Sequence, residues 1–284
     1  MDTTATGVTR RDILAGGAGF VALSALPAGA ETATSGPIDI DFSDPVEELR
    51  AQVKLVGSLQ KERVISFLRL NIYADPGEGS FVPLYTLNNL LIDYWEPQGN
   101  NEFQMAKYEA GYYTEIDSYE PIESFVNPLT NERRAVENFR LGPVPRRYTP
   151  EGFYVMAYNP NPHPLQVIGD RVFLATESIE SRPAPGGADR TLYINSFMTY
   201  SAQLRDMQDP SIASAPVHTQ LQNKNDWAPW MGMGDRPGGT VARGYGSKLG
   251  GLDALPAGVL DQFRRLTPEI LDTQNWVEFV SESV

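Results

Sequence analysis

The chain contains no cysteine and only two histidines, His163 and His218, among its 284 residues. The first absence excludes disulfide scaffolds, thiolate metal sites, thiol nucleophiles and covalent haem attachment. The second excludes a three-histidine metal centre and allows a two-histidine one only if both converge. No metal site and no redox cofactor are therefore expected. Basic residues are also in deficit: 23 Lys and Arg face 36 Asp and Glu, a formal charge of -13 with pI near 4.6. Such a surface repels a phosphate backbone, so nucleic acid is not expected as a partner. Gly-x-Ser-x-Gly and His-Glu-x-x-His do not occur, which removes the nucleophile elbow and the zinc-protease helix.

What is present begins with an address. Thr9-Arg10-Arg11-Asp12-Ile13-Leu14 resembles a twin-arginine export signal, and a weakly apolar stretch rich in Ala and Gly follows from Leu14 to Leu26. It ends in Pro27-Ala28-Gly29-Ala30, a small-x-small cleavage site that predicts Glu31 as the mature N-terminus. The stretch is too short for a hydrocarbon core that needs roughly 20 apolar residues, so a signal peptide over residues 1–30 is read in preference to a membrane span. No later run approaches roughly 18 apolar residues, and no membrane span is expected in the mature protein. The expected location is the periplasm, with the twin-arginine machinery as a partner during export. Removing residues 1–30 deletes Arg10, Arg11, Asp2 and Asp12, so the charge of -13 belongs wholly to the mature chain.

Residues 31–43 read as a flexible leader, and residues 44–284 as one β-rich domain. Asp44 as N-cap, Pro45 at the first helical position and Gly57 beyond the end predict a short helix, with Val46, Leu49, Val53 and Val56 on one apolar face. From Arg63 to Lys248 short β-branched and aromatic runs alternate with turn chemistry. Strands are predicted at Val64 to Tyr73, Leu84 to Trp95, Glu102 to Asp117, Ile122 to Val126, Arg133 to Phe139, Phe153 to Tyr158, Val172 to Ser181, Thr191 to Ala202 and Val241 to Ser247. Turns are predicted at Asp75-Pro76-Gly77, Gln98-Gly99-Asn100-Asn101, Asn127-Pro128, Asn159-Pro160-Asn161-Pro162 and Pro185-Gly186-Gly187. Helix returns at Pro256 to Leu266. Strands without intervening amphipathic helices argue for a mainly β fold: a single antiparallel β-barrel, calycin- or lipocalin-like, or a β-sandwich, with a short N-terminal helix and C-terminal helices.

Alternation makes the strand faces readable, because residues two apart share a face. In Glu102 to Asp117 neither face is cleanly apolar. Lys107 beside Glu109 is a candidate acid/base pair inside a barrel, against the plainer reading of an exposed same-strand ion pair. In Thr191 to Ala202 the face with Tyr193, Asn195 and Phe197 mixes aromatics with neutral hydrogen-bonding groups, as ligand pockets do, or forms a satisfied polar part of the core. The segment Asp226 to Gly239 carries Trp227, Trp230, Met231 and Met233 among Pro and Gly, and reads either as a lid over a ligand or as an aromatic plug. His218, just before it, is the candidate general base, and His163 reads as a surface residue in a stiff loop. Arg140 and Arg243 are candidate carboxylate anchors, or surface ion-pair residues. The acidic string Asp39, Asp41, Ser43, Asp44 lacks the glycine and closing glutamate of a calcium loop and reads as leader plus helix cap.

Arg63-Val-Ile-Ser-Phe-Leu-Arg-Leu, Glu109-Ala-Gly-Tyr-Tyr-Thr-Glu-Ile, Glu123-Ser-Phe-Val-Asn-Pro-Leu-Thr-Asn and Gly142-Pro-Val resemble a bacterial family of exported proteins, domain of unknown function 1838. The resemblance runs from about Asp44 to the C-terminal helix and implies fold and export, with no activity or site residues to carry over. This chain has Thr130-Asn131 where the family pattern has Thr-Gly, and Asn tolerates the left-handed conformation that such a turn needs. The function expected is binding, and in an enzymatic form transformation, of a small apolar or aromatic molecule. The alternatives are a non-catalytic periplasmic carrier and a structural or interaction protein whose interior is filled.

Overall fold

A computed structural model of the chain describes residues 39–154, 158–159, 164–183 and 191–271. The predicted export signal, the leader up to residue 38, the loop carrying His163 and the Pro185-Gly186-Gly187 turn lie outside the described residues. The described residues fall in one compact unit.

Helix α1 (Pro45–Val56) starts where its capping residues place it. The Asp44 carboxylate accepts from the backbone N–H groups of Val46 and Glu47, at 2.8 and 3.0 Å, satisfying two otherwise orphaned donors. The strands follow as β1 (Glu62–Asp75), β2 (Val82–Gly99), β3 (Glu102–Thr114), β4 (Ser124–Asn127), β5 (Glu132–Ala135), β6 (Phe139–Thr149), β7 (Gly152–Tyr154), β8 (Tyr158–Asn159), β9 (Gln166–Ile168), β10 (Arg171–Pro183), β11 (Thr191–Gln203), β12 (His218–Asn225) and β13 (Gly239–Leu249). Helix α2 (Leu204–Gln208) follows β11, and α3 (Val259–Leu266) closes the chain's described part with a 3-10 turn at Pro268–Leu271.

One antiparallel sheet of 11 strands runs in the order β8-β7-β6-β3-β2-β1-β13-β12-β11-β10-β9, and β4 pairs with β5 as a separate hairpin. The sheet curls into a half-barrel. The mainly β, antiparallel architecture expected from the sequence is therefore present, with the expected helix at each end of the chain. Turn chemistry sets the hairpins: Gly99, Asn100 and Asn101 all take positive φ between β2 and β3. Asn131 takes φ 57 between β4 and β5, the left-handed position that Asn fills in place of Gly.

Three strands exceed what the sequence predicts: β6, β12 and the three-residue β9. β6 runs through Pro143 and Pro145, which read as breakers. Among the described residues, β7 pairs with β6 at Arg147, Tyr148 and Thr149, and the Pro143 and Pro145 stretch pairs with β3 on its other side. β12 is polar on both faces, so no apolar alternation announces it. Its outward His218, Gln220 and Gln222 are exposed, while Thr219, Leu221 and Asn223 point inward.

Outside the half-barrel, Val259 and Phe263 of α3 and Ile270 pack on Leu90, Ile92 and Tyr112 of β2 and β3. The Tyr112 and Phe263 rings meet edge-on at 5.1 Å between centroids. Inside, α1 fills one end: Leu49 and Val53 meet Trp95 and Met105, and Leu55 meets Val172 and Ala202. Gly57 is pressed against the Trp95 ring so closely that any side chain there would collide with it. The opposite end is closed by the segment after β12. Trp227, Met231 and Met233 are buried there against Tyr85 and Phe125.

Candidate functional site

Between these two plugs the inner face leaves a cavity of about 420 Å³. Its walls are the inward positions of the strands, and β2 alone lays out its axis: Tyr85, Leu87, Asn89, Leu91, Asp93 and Trp95 share that face. Tyr85 and Asp93 stand about 27 Å apart along the strand at roughly 3.4 Å per residue. The chemistry changes along that line. Near Tyr85 the walls are Tyr113, Trp227, Ile72 and Leu70, with the neutral amides of Asn223 and Asn225 across from them on β12. Near Asp93 they become ionic.

The ionic end is set by register. β3 places Lys107 directly across from Asp93, and two residues along it Glu109 pairs with the Lys107 ammonium. Both side chains of that pair are largely enclosed, at 10% and 12% exposure. Arg146 comes from β6, where its neighbour across the ladder is Met105. A smaller recess of about 40 Å³ lies there, lined by Ser66, Asp93, Lys107, Arg146, Tyr148 and Tyr200 together with Trp95 and Thr219. Burial pushes the Asp93 carboxyl up to about 6, although the charges of Lys107 and Arg146 oppose the rise. Burial works against the Arg146 guanidinium, but Tyr148, Asp93 and Glu109 together hold its pKa above the ordinary value. Burial likewise raises the Tyr200 phenol and takes Tyr113 to about 12.

The polar atoms of this face are not fully partnered. Asn89 Oδ1, Asp93 Oδ1, Trp95 Nε1, Arg146 Nε, Asn223 Oδ1 and Asn225 Oδ1 are buried without a hydrogen-bond partner, and all six residues line the cavity or its recess. An unmade hydrogen bond on a buried group costs about 1–3 kcal/mol. Six of the ten such atoms among the described residues belong to residues around this one void, which leaves hydrogen-bonding capacity there that the protein does not itself use. Among the described residues no three His, Asp or Glu side chains group as metal ligands would.

The residues that sequence reasoning singled out divide between inside and outside. Lys107, Glu109 and Trp227 line the cavity, and Tyr193 stands at its rim, 55% exposed. Lys107 and Glu109 are thus an enclosed pair, not an exposed one. Trp230 and Met231 lie behind the wall. Trp230 packs on Tyr85, Tyr113 and Phe125 at 5.4 to 5.6 Å, and Met231 is fully buried, its carbonyl accepting from Asn127 at 3.0 Å. The segment is therefore a plug whose inner surface, Trp227 to Pro229, is also cavity wall.

Asn195 and Phe197 occupy the outward face of β11, with Phe197 41% exposed; the inward face is Ser196, Met198 and Tyr200. Alternation correctly separates the two faces but does not say which one turns inward. His218 is outward too, its Nδ1 sharing a 3.0 Å hydrogen bond with the Ser247 hydroxyl. Arg140 ion-pairs with Glu269 at 2.8 Å and donates to the Leu266 carbonyl, tying the α3 region to β6. Arg243 is exposed on the outer face of β13. None of these five lines the cavity.

Asp93, Asn89, Arg146, Asn223 and Asn225 were not singled out from the sequence. For the first two a signal exists: polar residues interrupt the odd positions of an otherwise apolar run from Tyr85 to Trp95. Arg146 was hidden by the prolines of β6, and the two asparagines by the polarity of β12.

The family model described as "Protein of unknown function (DUF1838)" matches residues 71–278, well over half of the chain. The chain belongs to this family. The match takes in the Glu109, Glu123 and Gly142 segments and the whole of β2, β3 and β6, so most of the cavity wall is family structure. No curated protein and no solved structure matches the chain. No helix among the described residues is long and apolar enough to cross a membrane.

Proposed function

We propose that this protein binds a small molecule with an apolar or aromatic body inside the half-barrel. The observation that carries the reading is the coincidence of a cavity of about 420 Å³ with six residues of its walls and recess that each hold a buried polar atom without a partner. That volume falls in the range of small-molecule sites, and its mix of apolar wall and few polar groups is the usual composition of such sites. A filled interior, as a purely structural protein would have, is not what these walls enclose.

The test is a fluorescence titration with N-phenylnaphthylamine, a neutral aromatic reporter. The expected result is saturable binding at one site, weakened at least about ten-fold by Met198→Trp, which fills the cavity, and unchanged by Phe197→Ala on the opposite face of the same strand. Binding that ignores Met198→Trp overturns the proposal.

A catalytic form of the same reading is favoured by the contact between Lys107 and Glu109 beside Asp93, since an enclosed base and acid at one wall can move a proton without further groups. Isomerisation or elimination fits that equipment. Glu109→Gln should then abolish turnover while leaving reporter affinity within about two-fold; affinity and turnover lost together would assign Glu109 to binding and not to proton transfer.

Export completes the proposal. The Arg10-Arg11 pair and the Ala28-Gly29-Ala30 site support delivery to the periplasm by the twin-arginine route. Replacing both arginines with lysine should strand the protein in the cytoplasm, and an unchanged periplasmic yield would refute it.

A further inference from the structure

The charges around the recess beneath α1 narrow the class of ligand. Two cations, Lys107 and Arg146, and the Asp93 carboxylate line the recess, and Glu109, on the adjoining cavity wall, pairs with Lys107; the other carboxylates of that wall, Glu177 and Asp226, do not line the recess. The nearest further cation, Lys248 on β13, is spoken for. Its ammonium donates to the Lys54 and Gly57 carbonyls and the Ser214 hydroxyl at 2.7 to 3.1 Å, and the carboxylates it faces are Asp93 first and then Glu62 on β1, so that with Lys248 and Glu62 counted in, three cations face three carboxylates. The recess is therefore electrically matched before any ligand arrives. An anionic head would leave a net buried charge, and so would a cationic one; in a poorly solvated space an unmatched ion costs several kcal/mol.

What remains unmatched is hydrogen bonding. Asp93 Oδ1 is an acceptor without a donor, and Arg146 Nε and Trp95 Nε1 are donors without an acceptor, all on residues that line the recess. A group that donates once and accepts once, and carries no charge, answers both needs. A hydroxyl does so, and a recess of about 40 Å³ has room for one on a ring or a short chain.

From this we infer that the ligand is a neutral, hydroxyl-bearing apolar molecule, a phenol or lipophilic alcohol, whose hydroxyl enters the recess between Asp93 and Arg146 while its apolar body lies along Leu68, Leu70 and Ile72 toward Trp227. This rests on the binding reading above and names the ligand class for that same cavity.

The experiment is a competition series at pH 7.5 in which para-hexylphenol, hexylbenzene and para-hexylbenzenesulfonate displace N-phenylnaphthylamine from the full chain. The three share one body and differ only in the head. The phenol is expected to bind about ten-fold tighter than either of the others, the scale of one or two hydrogen bonds to charged partners. Asp93→Asn keeps the shape of the recess but leaves it one positive charge in excess, so the order should invert, with the sulfonate gaining at least about ten-fold over its wild-type affinity. The wild-type ranking decides the matter even if that variant folds poorly. Equal affinity for phenol and hydrocarbon would overturn the inference, and so would a preference for the sulfonate. In either case the reporter still binds, and the cavity reading stands. Failure of the reporter itself to bind would instead bring down the cavity reading.

Discussion

On β2 and β3 inward and outward residues alternate along one backbone, yet the two faces are finished differently. The outward set, with Leu90, Ile92 and Tyr112, meets Phe263, Val259 and Ile270 and is filled. The inward set, with Asn89, Asp93, Lys107 and Glu109, faces a cavity of about 420 Å³; buried polar atoms without partners occur on both faces, Asn88 Nδ2 and the Tyr112 hydroxyl outward and Asn89 Oδ1 and Asp93 Oδ1 inward, and what separates the faces is the void. A filled face contributes stability by burying apolar area, roughly 25 cal/mol per Å². An unfilled face with desolvated polar groups gives some of that back, and such a surface persists in a native fold chiefly where it does something else. The comparison assigns stability to the outside of this half-barrel and binding to its inside.

The largest effect that could break this division is on the filled side. Phe263→Ala should cost about 3–5 kcal/mol of unfolding free energy, measured by denaturant titration, and should not change reporter affinity in the protein that remains folded. If stability holds but affinity falls, the two faces have been assigned the wrong way round.

Next comes Lys107→Met, which leaves Asp93 and Glu109 facing each other without their shared cation. A loss of about 3 kcal/mol is expected, with most of it recovered in Lys107→Met combined with Glu109→Leu. Additive losses would mean that the pair is not coupled across the cavity wall.

Asp93 supplies a pH dependence of similar scale. Its folded carboxyl titrates near 6 against an ordinary 3.8, because burial favours the neutral form. The stability it contributes is therefore fully present below its unfolded value and is lost as pH rises through about 6, by ~3 kcal/mol in all. The groups that face it are Lys107 and Glu109 on β3, Arg146 on β6, Tyr200 on β11 and Lys248 on β13. A carboxyl-carbon NMR titration should find its midpoint near 6; a midpoint at or below the ordinary value would show that the inner face is well solvated.

The smallest effects belong to the periphery. Arg140→Ala removes a surface pair with Glu269 and should cost under about 1 kcal/mol, without altering affinity. Tyr245→Ser, at a ring 74% exposed on the outer face of β13, should change stability by no more than about 0.5 kcal/mol. A large loss at either would extend the filled face beyond α3.

How much of this was legible in sequence follows from the same comparison. Outward packing obeys alternation, capping and turn rules, so α1, most strands and the Asn131 turn could be read directly. That Lys107 and Glu109 pair could be read too, because two opposite charges two residues apart on a strand must share a face; that the pair is enclosed could not, since the plainer reading is of an exposed pair. The rest of the site broke the rules that make strands visible. β12 carries polar residues on its inward side where it lines a cavity, and β6 carries prolines within the strand, where they read as breakers. Phe197 and Asn195 were grouped correctly with each other but faced outward, since no local rule reports which side of a sheet a distant helix will cover. Asp93 needed β3 and β6 beside it before its position meant anything.

The most direct test of the central claim is to follow backbone amide and tryptophan indole N–H resonances while N-phenylnaphthylamine is added. The account predicts shifts at inward residues such as Asn223, Met198 and the Trp227 indole, with the outward Phe197, Gln222 and Arg243 stationary. Shifts confined to the outward set, or none at saturating reporter, would contradict it.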